Sequence, residues 1–370
     1  VPGVTPPTTV HSPPRLYGRG AELAVLDTLL TRLRQGDGGA LVLTAPPGTG
    51  LTALLDRTAA AHRERHTGPV LWATAAPAEQ WLPHSGLHAL LCSAPCPLPL
   101  DPDRVLRDGL PPAALLALLR RLGAERPLLV CVDDAHAWDP ASRAALAFVA
   151  RRLGPRSRVA AVIGAGDGAG FAGLPALRLG PLGDEAASAL LDRFTEAAGT
   201  DRADPVARGE LLREAAGNPR LLAGLTARLT PAQLAGRTPL PHPLPGGDDV
   251  LAAHAARLGH LPAATRTLLL IAAAAHAHEP EGTGADLDLV RRAALAAAVP
   301  PAALDLALLT PGGTAGALQR AGDRVHFSHP LLRRALLHRA PPHHRRAVHD
   351  LLAGLLTDGG AARSRARAVW

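Results

Sequence analysis

The sequence predicts an α/β domain built on a mostly parallel sheet, with a helical lid and then a second, mainly helical, winged-helix-like domain. Three observations carry this. Four short apolar runs, GALVLT, PVLWAT, PLLVCV and RVAAVIG, alternate with segments of helical periodicity in the first half of the chain. Those runs are continuously apolar, as strands covered on both faces are. From Asp184 onward strand candidates nearly vanish, and Gly and Pro punctuate short helical segments.

Taken in order, VPGVTPPTTVHSPP (1–14) reads as a disordered, proline-stiffened leader. The α/β domain spans 15–183. Its first helix places Leu23, Leu26, Leu29, Leu30 and Leu33 on one face and stops at Gly36. GALVLT (39–44) is a buried strand, followed by the loop APPGTG and a helix from Leu51. PVLWAT, ending at Thr74, is a second strand; AEQWLPHSGLHALLCS holds a short helix and CPLPLDPD a proline-rich bridge. PAALLALLRRLGAE is a helix by its Leu spacing, and PLLVCV (127–132) a strand ending in the acids Asp133 and Asp134. Asp139 and Pro140 form a cap and first position for a helix to Leu153. RVAAVIGAG, from Arg158, is a further strand, and the domain closes in a loop around Gly173 to Gly183. Residues 184–237 form the lid, 238–249 (TPLPHPLPGGDD) a linker, 250–356 the winged-helix-like domain with a hairpin or strand at DRVHFSH, and 357–370 a flexible basic tail.

Two features carry chemistry. APPGTGLT (45–52) has the outline of a phosphate-binding loop, with Ala45 at the leading glycine position, Gly50 at the last, Thr52 at the hydroxyl position and Leu51 where lysine belongs. Strand, loop, helix is the required context. Gly48, Thr49, Gly50, Leu51 and Thr52 are therefore candidate nucleotide-binding positions, since backbone amides and a helix N-terminus attract phosphate without a side-chain charge. Leucine removes a charge-assisted contact worth about 1.5 to 3 kcal/mol, or about tenfold to hundredfold in affinity. Hydrolysis should suffer more, because lysine also stabilises charge on the transferring group. The second feature is the acid pair at a strand end: Asp133 is the magnesium candidate together with Thr52, and Asp134 the candidate base or water-holder. A plain strand-to-helix turn and a surface acid pair are the alternatives for each taken alone.

Composition narrows the field. All 39 Lys+Arg residues are arginine, so no lysine elsewhere in the chain stands in for Leu51. The arginines are dispersed in pairs, which argues against direct nucleic-acid binding despite a net charge of +7. Three cysteines, Cys92, Cys96 and Cys131, make no even framework and suit a reducing, cytoplasmic compartment. No apolar run reaches the length of a membrane span. The histidines from His326 to His349 show no metal-ligand spacing.

With these motifs in place, the chain resembles the ATP-binding part of large LuxR-type transcriptional regulators, which belong to the STAND branch of AAA-like P-loop ATPases. The likeness covers LYGRGAEL, the degenerate loop, WLPHSGLHALL, PLLVCVDDAHAWDPAS, LRLGPLGDEAASALL, the GNP of Gly217, Asn218 and Pro219, and FSHPLLRRALLHRAPPHHRRAVHDLLAGLL. It implies a P-loop NTPase-like fold with ATP or ADP and Mg2+ as cofactors. It also implies that Gly18, Arg19 and Glu22 lie near or brace the adenine side, that Asn218 and Pro219 approach the nucleotide, and that the protein works as a regulatory switch. Self-association or protein partners are further expectations. Leu51, and a strand end at GAGDG lacking a polar sensor except Asp167, both depart from the pattern against hydrolysis. The family's helix-turn-helix reader would lie beyond Trp370, so DNA binding does not carry over. Three readings follow: a nucleotide-binding switch with weak or absent hydrolysis, an ATPase using an arginine such as Arg57 or one from a neighbouring subunit, or a protein-interaction scaffold without nucleotide.

Overall fold

The structure, a computed structural model, describes residues 15–357 except 66, 96, 167, 169, 201, 242–243, 260, 277–278, 280–282 and 309–316. The leader, the tail from 358, Cys96, Asp167 and part of the linker lie outside the described residues. Two compact units are present: one comprises the chain to Leu212 with Gly217–Leu222 and Pro231–Thr238, the other Arg213–Ala216, Ala223–Thr230 and the chain from Pro239.

In the first unit the order is α1 (Gly20–Arg34), β1 (Gly39–Thr44), α2 (Leu51–Glu64), β2 (Val70–Thr74), α3 (Ser85–Cys92), α4 (Pro102–Asp108), α5 (Pro112–Glu125), β3 (Leu128–Asp133), α6 (Pro140–Ala150), β4 (Val159–Gly164) and β5 (Ala176–Arg178). The helices α7 (Asp184–Ala197) and α10 (Pro231–Leu234) belong to it too, whereas α8 (Pro205–Ala215) and α9 (Pro219–Thr226) are each divided between the two units. The strands form one sheet in the order β2-β3-β4-β1-β5, with every pairing parallel. This is the α/β, P-loop NTPase-like class expected from the sequence.

Period-2 geometry divides the central strands between two cores. Val130 and Val132 of β3 join Leu87, Leu115 and Leu146 on one face, whereas Leu129 and Cys131 join Leu26, Leu30 and Leu54 on the other. All six residues of β3 and of β4 are buried, which is why those runs carry no polar alternation. Each fully buried leucine contributes about 1.5 to 3 kcal/mol. Burial also pushes the Cys131 thiol up to about 12, leaving it a small apolar core residue.

Two elements differ from expectation. The closing loop near 173–183 contains the edge strand β5, three residues long and too short to show a pattern. The proline-rich bridge gives way to α4, whose Asp101 side chain accepts from the Asp103 amide at 3.0 Å with Pro102 at the first position. That is the same cap signature that Asp139 and Pro140 give α6.

The second unit holds α11 (Asp248–Ala256), α12 (Ala263–His276), β6 (Ala285–Asp286), α13 (Leu287–Ala296), α14 (Pro301–Leu308), β7 (Leu318–Ala321), β8 (Arg324–Phe327), α15 (Pro330–Arg339) and α16 (Pro342–Thr357). DRVHFSH supplies β8, paired antiparallel with β7 and with the short β6. A core of Leu268, Ile271, Val290, Val325 and Leu352 joins these helices to the small sheet. His329 caps α15, its Nδ1 accepting from the Leu331 amide at 3.1 Å. No helix among the described residues is long and apolar enough to cross a membrane.

Candidate functional site

The loop between β1 and α2 sits at the C-terminal edge of the sheet, where open parallel sheets present their ligand sites. Gly48 and Gly50 adopt left-handed backbone at φ 80° and 97°, the second directly before the first residue of α2. The turn is held from inside: the Thr49 hydroxyl donates to the Pro46 carbonyl at 2.8 Å. The amides of Gly50, Leu51 and Thr52 have no protein acceptor among the described residues. Such first-turn donors, with the helix dipole behind them, are what an anion recognises.

Because β4 lies between β1 and β3, the loop and the acid pair stand one strand apart, and side chains bridge the gap. The Thr52 hydroxyl donates to Asp133 Oδ2 at 2.7 Å. Asp133 is 2% exposed and also accepts the Asp134 amide on Oδ1 at 3.0 Å. Burial pushes its carboxyl up from the usual carboxylate value, and the Asp134 charge adds to this, while the Thr52 hydroxyl and the Asp134 amide oppose it. Hydroxyl and carboxylate in contact, one turn from free amides, form a hard oxygen donor pair of the kind magnesium uses.

Leu51 does not point to solvent. It packs on the α1/α2 core, and a Cβ at Gly164 would overlap its Cδ2 while lying 3.2 Å from Asp133 Oδ1. The glycine that ends β4 therefore makes room for the leucine. Sequence reasoning missed this pairing; the glycine after VI was the available signal.

Arg19 is 6% exposed and fully engaged: it donates to the Thr49 carbonyl at 3.0 Å and the Gly180 carbonyl at 2.8 Å, and pairs with Glu22 at 3.0 Å. It ties the loop to the segment before α7. Asn218, 1% exposed, donates from Nδ2 to the Pro47 carbonyl at 2.8 Å and caps α9 by accepting the Leu221 amide at 3.0 Å. A Cβ at Gly48 would lie 2.7 Å from Asn218 Oδ1, and Pro219 approaches Gly50. Glycine at 48 is thus required by close approach as well as by φ. Both Arg19 and Asn218 hold the loop by its carbonyls, while the amides of Gly50, Leu51 and Thr52 have no protein acceptor among the described residues.

Two candidates are placed apart from this cluster. Asp134, in left-handed backbone at φ 52°, has a side chain 57% exposed and 4.0 Å from His136 Nδ1. His136 in turn accepts the Gly166 amide at 3.3 Å. Arg57 pairs with Glu64 at 3.3 Å, toward the far end of α2, so it does not replace the missing lysine. Further along the chain, buried Asp139 caps α6 through the Ser142 amide at 2.9 Å and accepts the amides of His84 at 3.0 Å and Gly86 at 3.2 Å. Trp138 is packed in the core.

Comparison with known proteins fits this geometry. Residues 15–163, from before α1 to the end of β4, match the family model of the AAA ATPase domain. No curated protein sequence matches the chain. Among solved structures, the ORC2 protein of Aeropyrum pernix, solved in ADPNP-ADP complexes, aligns over 94% of this chain and 97% of its own at TM-score 0.53 and 15% identity. Cdc6p of Pyrobaculum aerophilum aligns over 72% and 76% at TM-score 0.41 and 20% identity. A RuvB variant of Thermotoga maritima aligns over 88% and 97% at 0.42 and 15%. The match at TM-score 0.53 and 15% identity is a likeness of fold. The fold is that of a P-loop NTPase-like α/β domain with a phosphate-type loop at the sheet edge, and residues 15–163 of it are similar to the AAA ATPase domain.

Proposed function

We propose that the chain is a nucleotide-binding regulatory switch module, related to the LuxR-type regulators, that holds ATP or ADP with weak or absent hydrolysis. One observation carries the reading: a loop whose Gly50, Leu51 and Thr52 amides have no protein acceptor among the described residues, while the Thr49 and Pro47 carbonyls are tied down by Arg19 and Asn218. Gly48, Thr49, Gly50, Leu51 and Thr52 would surround the phosphates. Thr52 and Asp133 would hold Mg2+, which when bound neutralises charge on the outer phosphates. The protein's own part is positional: helix dipole and amides bind, Asp133 keeps the Thr52 hydroxyl oriented, and Pro219 stands beside the loop.

Cleavage lacks support at three points. Leu51 places an apolar group where a cation is needed, Arg57 is turned away, and Asp134 is exposed beside His136. The test is binding and turnover on the same sample. Labelled ADP or ATP should bind the purified chain, whereas phosphate release should stay at background and be insensitive to Asp134→Asn. Turnover abolished by Asp134→Asn would favour a working ATPase. A loop that ignores nucleotide at millimolar concentration would leave the scaffold reading.

A further inference from the structure

A separate cavity lies at the opposite edge of the same sheet. It opens, with a volume of about 690 Å³, between one face of α1, the start of β1, the end of α6 and the segment before β5. Its volume falls within the range of about 300 to 1,000 Å³ typical of ligand sites. Its walls are apolar, from Leu29 and Val25 on α1, Leu153 after α6 and Leu174 before β5. Val25 is 42% exposed, unusual for a valine on a helix whose other face is core.

Two features give the cavity a chemistry. Arg32 and Arg151 line it with no acid among the lining residues, and Arg32 has no ion pair among the described residues. Arg151 spends one donor on the Ala172 carbonyl at 3.1 Å. The second feature is a strand edge. In a parallel ladder one residue in two turns both its N–H and C=O to a given neighbour. Val42 of β1 faces β5, its amide donating to the Pro175 carbonyl at 2.9 Å. Ala40, two residues earlier, faces the same way, but β5 begins pairing only at Val42. Pro175 has no N–H to offer, and by the same alternation, with Leu43 accepting from Ala165 on the β4 side, Ala40 turns away from β4 and makes no bond to the described residues before β5.

We propose that this cavity binds the carboxyl-terminal end of an extended, apolar peptide. The peptide backbone pairs with Ala40 as an added strand, its side chains enter the Leu29 and Leu174 walls, and its terminal carboxylate meets Arg32 and Arg151. Each element of the ligand answers one of the site: an amide for the strand edge, hydrocarbon for the walls, an anion for two arginines. The site shares no residue with the phosphate loop.

The test uses the full 15N-labelled chain titrated with acetyl-alanyl-leucyl-leucine as the free acid, as its C-terminal amide, and with decanoate. The free acid should bind saturably and shift the Ala40 amide resonance. The C-terminal amide, Arg32→Gln and Arg151→Gln should each weaken binding about tenfold, the scale of one charge-assisted contact. Thr28→Trp, at an exposed position in the cavity wall, should abolish it. Equal affinity for acid and amide, decanoate binding as tightly as the peptide, or no Ala40 shift at millimolar peptide would each overturn the proposal. The ligand arms need no variant to fold.

Discussion

At the scale of single residues, Leu51 and Gly164 form a pair. Because a Cβ at 164 would overlap Leu51, Gly164→Ala is expected to cost about 1 to 3 kcal/mol by overpacking. Leu51→Ala in the same chain should return part of that cost. Urea unfolding of the two single variants and the double variant measures the coupling, and additive effects would show that the two side chains do not meet. Asp133 makes the opposite trade. Its carboxyl is pushed up chiefly by burial, so the folded state binds a proton more readily than the unfolded one and the ionised group costs stability once pH exceeds the ordinary carboxylate value. Asp133→Asn should therefore leave the melting temperature unchanged or higher, while removing any Mg2+ dependence of nucleotide affinity. A lower melting temperature would mean that the Thr52 contact outweighs the cost of burying charge. His62, buried near the end of α2, has its imidazole held below the usual value mainly by burial, with Arg63 and Arg126 adding to it and carbonyls of Pro127 and Pro69 opposing. The unfolded chain then takes up the proton first. Stability should be complete above pH about 6.5 and fall as pH drops through the window below it, and the His62→Gln chain should show a flatter pH profile in thermal melts.

At the scale of elements, buried Asp139 joins two helices that the sequence shows separately. Burial opposes its ionisation, yet the Ser142 side chain and amide and the amides of His84 and Gly86 outweigh it and hold the carboxyl below its usual value. Asp139→Ala removes the cap of α6 and strands amides before and within α3, with an expected cost of about 2 to 4 kcal/mol in denaturant unfolding. A cost of a few tenths would show that α3 is held by packing alone. The cap itself was legible, because Asp followed by Pro before an apolar helix is a local signal. The amides it serves were not, since they arrive from 55 and 53 residues away. The same contrast runs along the chain. β1 to β4 were readable because strands covered on both faces must be apolar throughout. β5 has two exposed residues of three and exists only because β1 offers an edge, so no local pattern announces it. α4 has the same Asp-Pro cap at Asp101 and Pro102, set in a proline-rich run that as a whole reads as a bridge.

At the scale of the molecule, a P-loop NTPase-like unit and a mainly helical unit with a small antiparallel sheet account for the described residues. Within the candidate site, motif residues were legible as types at positions: glycines, a threonine, strand-end acids. Their division of labour was not. Arg19 read as a contact to the nucleotide or a brace and Asn218 as a residue approaching the nucleotide, and only the structure gives their bonds to the Thr49 and Pro47 carbonyls. The central claim is that this loop retains the backbone half of a phosphate site and lacks the cationic half. It is tested most directly by equilibrium titration of the full chain with Mg-ATP, wild type against Leu51→Lys. The account predicts saturable binding by the wild type that tightens about tenfold to hundredfold when the single cation is supplied. No binding by either protein at millimolar nucleotide, or equal affinity for both, would contradict it.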